Sequence, residues 1–152
     1  MLLELAERGW RQWCDAVTAA VRDRAGLGPH QVAAVLADTI SALSVFCDLL
    51  GHVALHLEGD VDLERARIYK TNAFAAAGRI VDALDRAGTM TAGQLRNLIT
   101  TAISLAAALW QASHPTPTLA ALYEQEPSWA HVALDFEPQL GLLLRATAAG
   151  LA

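Results

Sequence analysis

The sequence predicts an all-α fold, and three observations lead to that prediction. Alanine and leucine together make up 55 of the 152 residues, against 9 valines and 5 isoleucines, and this balance favours helix over sheet. Apolar residues recur at helical spacing along most of the chain. The prolines leave long tracts at 1–28 and 30–114, which glycine and capping residues divide further, so that the sequence predicts a bundle of five to seven helices. The length fits one domain, and we expect residues 1–152 to form it.

Three helices are expected in the first half of the chain. They run from Leu2 to about Arg24, from Pro29 to about Ile40, and from Ser44 to the Gly59–Asp60 pair. In the first helix most charges lie opposite an apolar stripe, and the Gly-Leu-Gly-Pro run that follows is a stop signal. Ser44 is the expected cap of the third helix.

Two long helices are expected next. Asp62 is the expected cap of a helix that reaches about Ala87, whose apolar residues share one face. Thr91 and Gln94 form a capping box, in which each side chain bonds the other residue's amide, and this box predicts a helix over 92–113.

The last part of the chain is expected to hold a long connection and a final helix. The connection, about 114–134, contains one short helix. Asp135 is the expected cap of the final helix, 136–151, in which Pro138 occupies a first-turn position that tolerates proline. We find no repeat, low-complexity tract or interdomain linker.

The distribution of charge along the helices indicates a partner surface. Residues 97–123 contain no Asp, Glu, Lys or Arg, whereas 58–86 contain 11 charged residues. A helix that is apolar on all sides must be covered on all sides. A second apolar stripe on the final helix suggests surface left over for a second subunit. The alternative is that both helices are the core of a monomer.

Composition argues against several classes of protein. The formal net charge is −5, and Lys70 is the only lysine, which disfavours binding to phosphates of nucleic acid. Cys14 and Cys47 lie in apolar stretches, which is typical of small buried residues and not of a disulfide framework. The charged amino terminus does not resemble a signal peptide, and polar residues interrupt 97–123 as a membrane span. We therefore expect a cytoplasmic protein without membrane contact.

One group of residues suggests metal chemistry. Asp48, His52 and His56 are spaced i, i+4, i+8 and so share one helix face. The motif lacks the glutamate of a zinc hydrolase, and no fourth ligand is evident, so a polar helix face is the preferred interpretation. The sequence has no phosphate loop and no nucleophile elbow. We expect no catalytic residue, no metal and no cofactor, and therefore no enzyme.

Three segments resemble the carboxy-terminal half of tetracycline-repressor (TetR) family transcription regulators. They are FCDLLGHVALHLEGDVDLERARIYK at 46–70, ALWQASHPTPTLAALY at 108–123 and DFEPQLGLLLRATAAGL at 135–151. Within them, the motifs that carry the resemblance are Tyr69-Lys70, Leu109-Trp110-Gln111 and His114-Pro115. Together the segments suggest a similarity over nearly all of the chain.

The resemblance implies a ligand-binding and dimerisation domain without its DNA reader. Family members begin with a helix-turn-helix region, whereas this sequence begins at what would be the next helix. Either the sequence is an isolated regulatory domain, or its start lies inside a longer reading frame. We expect this chain alone not to bind DNA. The helices 92–113 and 136–151 would pair with their copies in a four-helix bundle. The residues expected at the dimer interface are Leu105, Leu109, Leu140, Leu143, Leu144 and Thr147.

An internal ligand pocket is expected between the first, third, fourth and fifth long helices. Large aromatic residues there alternate with runs of alanine, which can leave space for a small hydrophobic or aromatic molecule. The expected lining residues are Trp13, Phe46, His52, Asn72, Phe74, Thr101, Ser104 and Trp110. The alternative is that the aromatic residues fill a solid core.

Two other functions remain open at this point. The first is a freestanding all-α homodimeric binding or scaffold protein with no gene-regulatory role. The second is a metal-dependent enzyme, which bound metal in the purified protein would reveal.

Overall fold

The computed structural model describes residues 1–57, 59, 61–132 and 135–152, with the backbone alone at 130–132. Over these residues the chain forms seven α-helices and a 3-10 helix, η1, and contains no strand. The helices are α1 Leu2–Val21, α2 Pro29–Ser41, α3 Ser44–Leu57, α4 Leu63–Ala87, α5 Ala92–Ser113, α6 Pro117–Gln125, η1 Pro127–Val132 and α7 Phe136–Leu151. The predicted all-α fold is confirmed.

The predicted capping box at the start of α5 is confirmed. The amide of Gln94 donates to Thr91 Oγ1 at 3.3 Å, and the amide of Thr91 donates to Gln94 Oε1 at 2.8 Å. Asp62 and Asp135 also occupy N-cap positions, but neither side chain forms a capping hydrogen bond. Local sequence therefore places these helix starts, even where the cap itself is not used.

Three predicted helix boundaries differ from the structure. The first helix ends at Val21, because Arg22 leaves the helical conformation with ψ 132° and Asp23 has φ 62°. Ser44 is the first residue of α3 and not its cap, and α3 ends at Leu57. Asp60, predicted at that end, lies outside the described residues.

The core forms where α1 packs against α4, α3 and α2, and where α7 packs against α2 and α5. α5 and α7 are antiparallel. At one end of the pair the rings of Trp110 and Phe136 lie 5.1 Å apart, and at the other Gln94 Nε2 donates to the backbone oxygen of Leu151 at 2.6 Å. The loops before α2 and α5 meet at Leu27 and Gly88, where a side chain on Gly88 would collide with the Leu27 carbonyl.

Within the described chain, no single helix is long and apolar enough to cross a membrane. α2 and α3 reach that length and composition only as a pair, with a 90° bend between them.

Candidate functional site

An aromatic cluster occupies the interior between α1 and α3. The ring centroids of Trp10, Trp13 and Phe46 lie between 5.6 and 6.4 Å apart. Trp13 and Phe46 are 0% and 2% exposed. Gly9 makes this packing possible, because a Cβ at that position would overlap the Phe46 ring. Trp13 and Phe46 therefore fill the interior and do not line an open cavity.

Both indole N–H groups of this cluster bond to other helices. Trp10 Nε1 donates to the Tyr69 hydroxyl at 3.1 Å, and Trp13 Nε1 donates to Thr39 Oγ1 at 3.0 Å. Burial raises the pKa of Tyr69, the hydrogen bond from Trp10 lowers that pKa, and the charge of Glu7 raises it further, with a net rise. The Tyr69 hydroxyl is therefore neutral at physiological pH.

An ion pair next to the cluster joins α1 to α4. Arg65 Nη1 donates to Glu7 Oε1 at 2.7 Å, and the Arg65 and Glu7 side chains are 27% and 10% exposed. The other terminal nitrogen of Arg65, Nη2, is buried without a hydrogen-bond partner. A buried donor without an acceptor destabilises the state that contains it, so an acceptor brought by a ligand would be stabilising there.

A surface cleft of about 220 Å³ lies beside the ion pair. Its lining residues come from the start of α1, the end of α3 and the segment that leads into α4: Met1, Leu3, His56, Val61, Asp62 and Arg65. The lining is mixed, since three of these residues are apolar and three are polar or charged. Apolar side chains beside a guanidinium suit a small molecule that has an apolar body and a hydrogen-bond acceptor. A second cleft, of about 240 Å³, lies between the ends of α1 and α4.

The eight residues predicted to bind a ligand do not surround one pocket, and none of them lines either cleft. Three lie in the core or partly against it: Trp13, Phe46 and Trp110. Four are exposed: His52, Asn72, Phe74 and Ser104. The inward orientation predicted for His52, Asn72 and Ser104 is not found in the single chain, and their role in ligand binding stays a prediction. Thr101 is half-buried, and its hydroxyl donates to the backbone oxygen of Asn97 at 2.9 Å.

Phe74 lies on the surface, although the helical spacing of α4 predicts it on the inward face. Around Phe74 the buried positions are Tyr69, Ala73, Ala76 and Ile80, and farther along the helix they include Val81, two turns from Phe74. Phe74 is one position away from this series and is 70% exposed, with Lys70 Nζ 5.8 Å from the centre of its ring. The apolar periodicity predicts Phe74 and Val81 on the same inward face, but the structure buries only Val81.

The possible metal ligands on α3 have other contacts. Asp48 Oδ1 accepts from Trp110 Nε1 at 3.2 Å, and His52 Nδ1 lies 2.8 Å from the backbone oxygen of Asp48. In the part of the chain that the structure describes, no three potential ligands converge, His56 included. The geometry therefore gives no support to a metal-dependent enzyme.

Half of the residues predicted at the dimer interface are buried by their own chain. Leu140 and Leu144 are 0% exposed and Leu109 is 8% exposed. α7 packs its stripe against α2 and α5, and side chains already buried there are not available to a second subunit. The prediction is therefore wrong for these three. The other three are half-buried and stay predicted contacts: Leu105, Leu143 and Thr147.

α5 and α7 nevertheless expose uncharged side chains that sequence reasoning did not assign to the dimer interface. On α5 they recur at intervals of three and four residues: Asn97, Thr100, Ser104, Ala108 and Gln111. On α7 they are Leu142, Ala146, Ala149 and Gly150. We call these nine residues the α5/α7 surface.

Sequence reasoning also missed Glu7, Arg65 and Tyr69. One signal was present, because Glu7 lies one turn from Leu3 and from Trp10 and so stands within the apolar stripe of α1. A charge in a buried register requires a partner of opposite charge. That argument predicts an ion pair, but it does not say which helix supplies the other charge.

Comparisons with known proteins agree with the helical architecture. No curated protein matches the chain. The family described as "Tetracyclin repressor-like, C-terminal domain" matches residues 7–152, from the first turns of α1 to the end of the chain. Domains of this family belong to regulator proteins rather than enzymes. The chain therefore belongs to the family of tetracycline repressor-like C-terminal domains.

Proposed function

We propose that this chain is the dimerising, effector-binding module of a TetR-type transcriptional regulator, and that its effector is a small hydrophobic or aromatic molecule. The observation that carries the proposal is the α5/α7 surface, a row of exposed uncharged side chains on two adjacent helices, beside which the exposed charges are Arg96, Glu137 and Arg145. Exposed helix faces of single chains normally carry charge, as that of α4 does with Arg67, Asp82 and Asp85. Surface without charge is suited to burial against a second subunit.

The hydroxyl groups on this surface make its burial less costly. Thr100 Oγ1 donates to the backbone oxygen of Arg96, and Ser104 Oγ donates to that of Thr100, each at 2.9 Å. These donors keep their partners when water is removed, so the desolvation cost that a free hydroxyl would carry is reduced. The small side chains of Ser104 and Ala108 also allow a second helix to approach closely.

A matched pair of substitutions tests the dimer. Ala108→Arg places a charge on the α5/α7 surface, and Ala75→Arg places the same charge on the exposed face of α4. Both positions are exposed in the single chain, so neither change disturbs its core. Sedimentation equilibrium should find wild type and Ala75→Arg dimeric and Ala108→Arg monomeric. An Ala108→Arg protein that dimerises like the wild type would contradict the proposed interface.

The cleft beside Arg65 is the proposed effector site. Leu3 and Val61 provide apolar contact, and the guanidinium of Arg65, which lines the cleft and whose buried Nη2 has no hydrogen-bond partner, is the proposed donor for a carbonyl or carboxylate. The volume of about 220 Å³ is below the usual range of roughly 300–1,000 Å³ for drug-sized ligands. The effector is therefore expected to be small, of the size of a single aromatic ring with one polar substituent.

Thermal-shift measurements with related compounds test this site. Benzoate should raise the melting temperature of the wild type more than benzyl alcohol or toluene at the same concentration, because only benzoate is an anionic acceptor. Arg65→Met should remove the advantage of benzoate and leave the other two unchanged. Equal effects of benzoate on wild type and Arg65→Met would contradict the assignment.

A homodimeric scaffold protein without an effector is the second candidate. The filled aromatic cluster of Trp10, Trp13 and Phe46 favours it, since no ligand-sized space remains among these rings. If the wild type is dimeric and a broad screen of apolar compounds finds none that stabilises it, the scaffold interpretation is the better one.

A further inference from the structure

The connection between α5 and α7 is far longer than its geometry requires. α5 ends at Ser113 and α7 begins at Phe136, and these ends adjoin, because the Trp110 and Phe136 rings lie 5.1 Å apart. Neighbouring antiparallel helices are usually joined by about 2–8 residues. The chain instead forms α6 and η1 before it returns.

α6 forms a helix without burying any of its residues. Pro117 occupies its first position, and Thr116 Oγ1 accepts from the amide of Leu119 at 3.4 Å, so local sequence specifies where it starts. No residue of α6 is buried, and its main packing is against η1. Helices shorter than about 12–15 residues are marginal in water without tertiary packing. The nine residues of α6 therefore need contacts that the described part of their own chain does not supply.

The apolar side chains of this segment are exposed. Leu119 and Leu122 on α6 are 42% and 37% exposed, and Trp129 on η1 is 49% exposed. Scattered single apolar residues on a surface are ordinary, but these three belong to one short segment that has no buried residue on its helix. Such a segment is typical of one that packs on another chain.

We propose that α6 and η1 form an arm that packs against a second copy of this chain. The inference rests on the proposed dimer, and it extends the contact beyond α5 and α7. The arm starts where α5 ends and returns where α7 begins, so it lies at the edge of the α5/α7 surface. A subunit that docks on that surface is the nearest one that can cover the arm.

Charge complementarity supports a second copy as the occupant. The arm carries Glu124 and Glu126 and no cation. The cations of α5 and α7 are Arg96 and Arg145, both exposed. In the part of the chain that the structure describes, none of these four side chains is in an ion pair. Each subunit therefore offers two unpaired anions on its arm and two unpaired cations near the surface that would receive its partner.

Symmetry brings these charges together. When the two-fold axis of a dimer is perpendicular to the α5 helices, the two copies of α5 are antiparallel. The carboxyl end of one copy then lies near the amino end of the other. The arm of one subunit then lies near Arg96 of the partner subunit. Because a two-fold interface is self-complementary, both arms make the same contact.

Serine substitutions test the apolar part of the arm. Leu119→Ser with Leu122→Ser changes two arm residues that are not buried, so the fold of the single chain should be kept. Leu55→Ser with Leu63→Ser is the matched control, since both leucines are 72% exposed and lie on α3 and α4. The arm variant should raise the dimer dissociation constant about tenfold or more, and the control should change it by less than about twofold.

Charge reversal tests the polar part. Two variants should each weaken the dimer, because each places like charges together. One is Arg96→Glu, and the other is the double substitution Glu124→Arg with Glu126→Arg. All three substitutions in one chain should restore most of the affinity.

As an independent readout, Trp129 emission should shift to longer wavelength when the dimer is diluted to monomer, and Trp129→Phe should abolish that shift.

The outcomes separate this inference from the dimer itself. If the wild type is dimeric, Ala108→Arg is monomeric and the arm variants keep wild-type affinity, the arm proposal is overturned and the α5/α7 dimer stands. If the wild type is monomeric at all accessible concentrations, the dimer is overturned, and the arm with it.

Discussion

The Glu7–Arg65 pair fixes the position of α1 on α4, and replacing Glu7 with glutamine tests that role. Glutamine keeps the shape of the side chain and an oxygen that can accept from Arg65 Nη1, but it removes the negative charge. The guanidinium then keeps a neutral partner for Nη1, while Nη2 still has no partner. The predicted effect is destabilisation without a change of fold.

The expected loss of stability follows from the exposure of the Glu7 and Arg65 side chains and from the length of the hydrogen bond between them. Hydrogen bonds to charged groups contribute about 1.5–3 kcal/mol, against about 0.5–1.5 kcal/mol for neutral ones. The distance is 2.7 Å and Glu7 is 10% exposed, which favours the upper part of that range, whereas Arg65 at 27% exposure is partly screened by solvent. We therefore expect Glu7→Gln to lower the free energy of unfolding by about 1–2 kcal/mol.

Urea denaturation at one protein concentration, followed by tryptophan fluorescence, measures this effect. Glu4→Gln is the matched control on the same helix, because the Glu4 side chain is 68% exposed and its contact with the amino terminus is 3.5 Å long. The control should change the free energy of unfolding by less than about 0.5 kcal/mol. The reasoning is refuted if the two variants have the same stability.

Two further predictions concern the core and its pH dependence. Gly9→Ala should destabilise the fold by about 1–3 kcal/mol, because the new methyl group overlaps the Phe46 ring. The control is Gly93→Ala, where only Thr91 Oγ1 comes near the new methyl group. Equal melting temperatures of the two variants would contradict the packing of Gly9 against Phe46. Burial raises the pKa of Cys47 from 9.0 to about 12 and also raises the pKa of Tyr69 above 10.0. Because the unfolded chain loses these protons first, stability should be constant below about pH 9 and fall as the pH rises toward 12. Urea midpoints measured across this range should show a shallower fall in Tyr69→Phe than in the wild type, and a flat profile in the wild type would contradict the burial of these groups.

The sequence predicts helix positions well in this chain because their signals are local. The capping box of Thr91 and Gln94 and the prolines at 29 and 117 act within one turn, so no knowledge of the fold is needed to place the helix starts. The predicted end of α1 lies three residues beyond the observed one, because Asp23 adopts φ 62°, a left-handed conformation that aspartate tolerates but does not signal.

The partners of each helix face could not be predicted in the same way. The stripe of α7 that contains Leu140 and Leu144 is apolar whether it packs against α2 and α5 or against a second subunit. Periodicity shows that a face is buried, but not by what. The uncharged stretch 97–123 also exposes small residues such as Ser104 and Ala108, which an apolar stripe does not reveal.

The candidate effector site depends on contacts between residues far apart in sequence. Glu7 meets Arg65, and Trp10 meets Tyr69, across separations of 58 and 59 residues. Those pairings follow from how α1 lies on α4, which no local pattern encodes. The apolar periodicity of α4 predicts Phe74 on the inward face, but Phe74 is exposed, because the neighbouring helices cover that face only farther along α4, at Val81.

The mass of the purified chain in solution tests the central claim most directly. Sedimentation equilibrium over a range of concentrations should give twice the chain mass of 16.2 kDa for the wild type and 16.2 kDa for Ala108→Arg. A wild type that stays at 16.2 kDa at all concentrations, or an Ala108→Arg variant as dimeric as the wild type, would contradict the account.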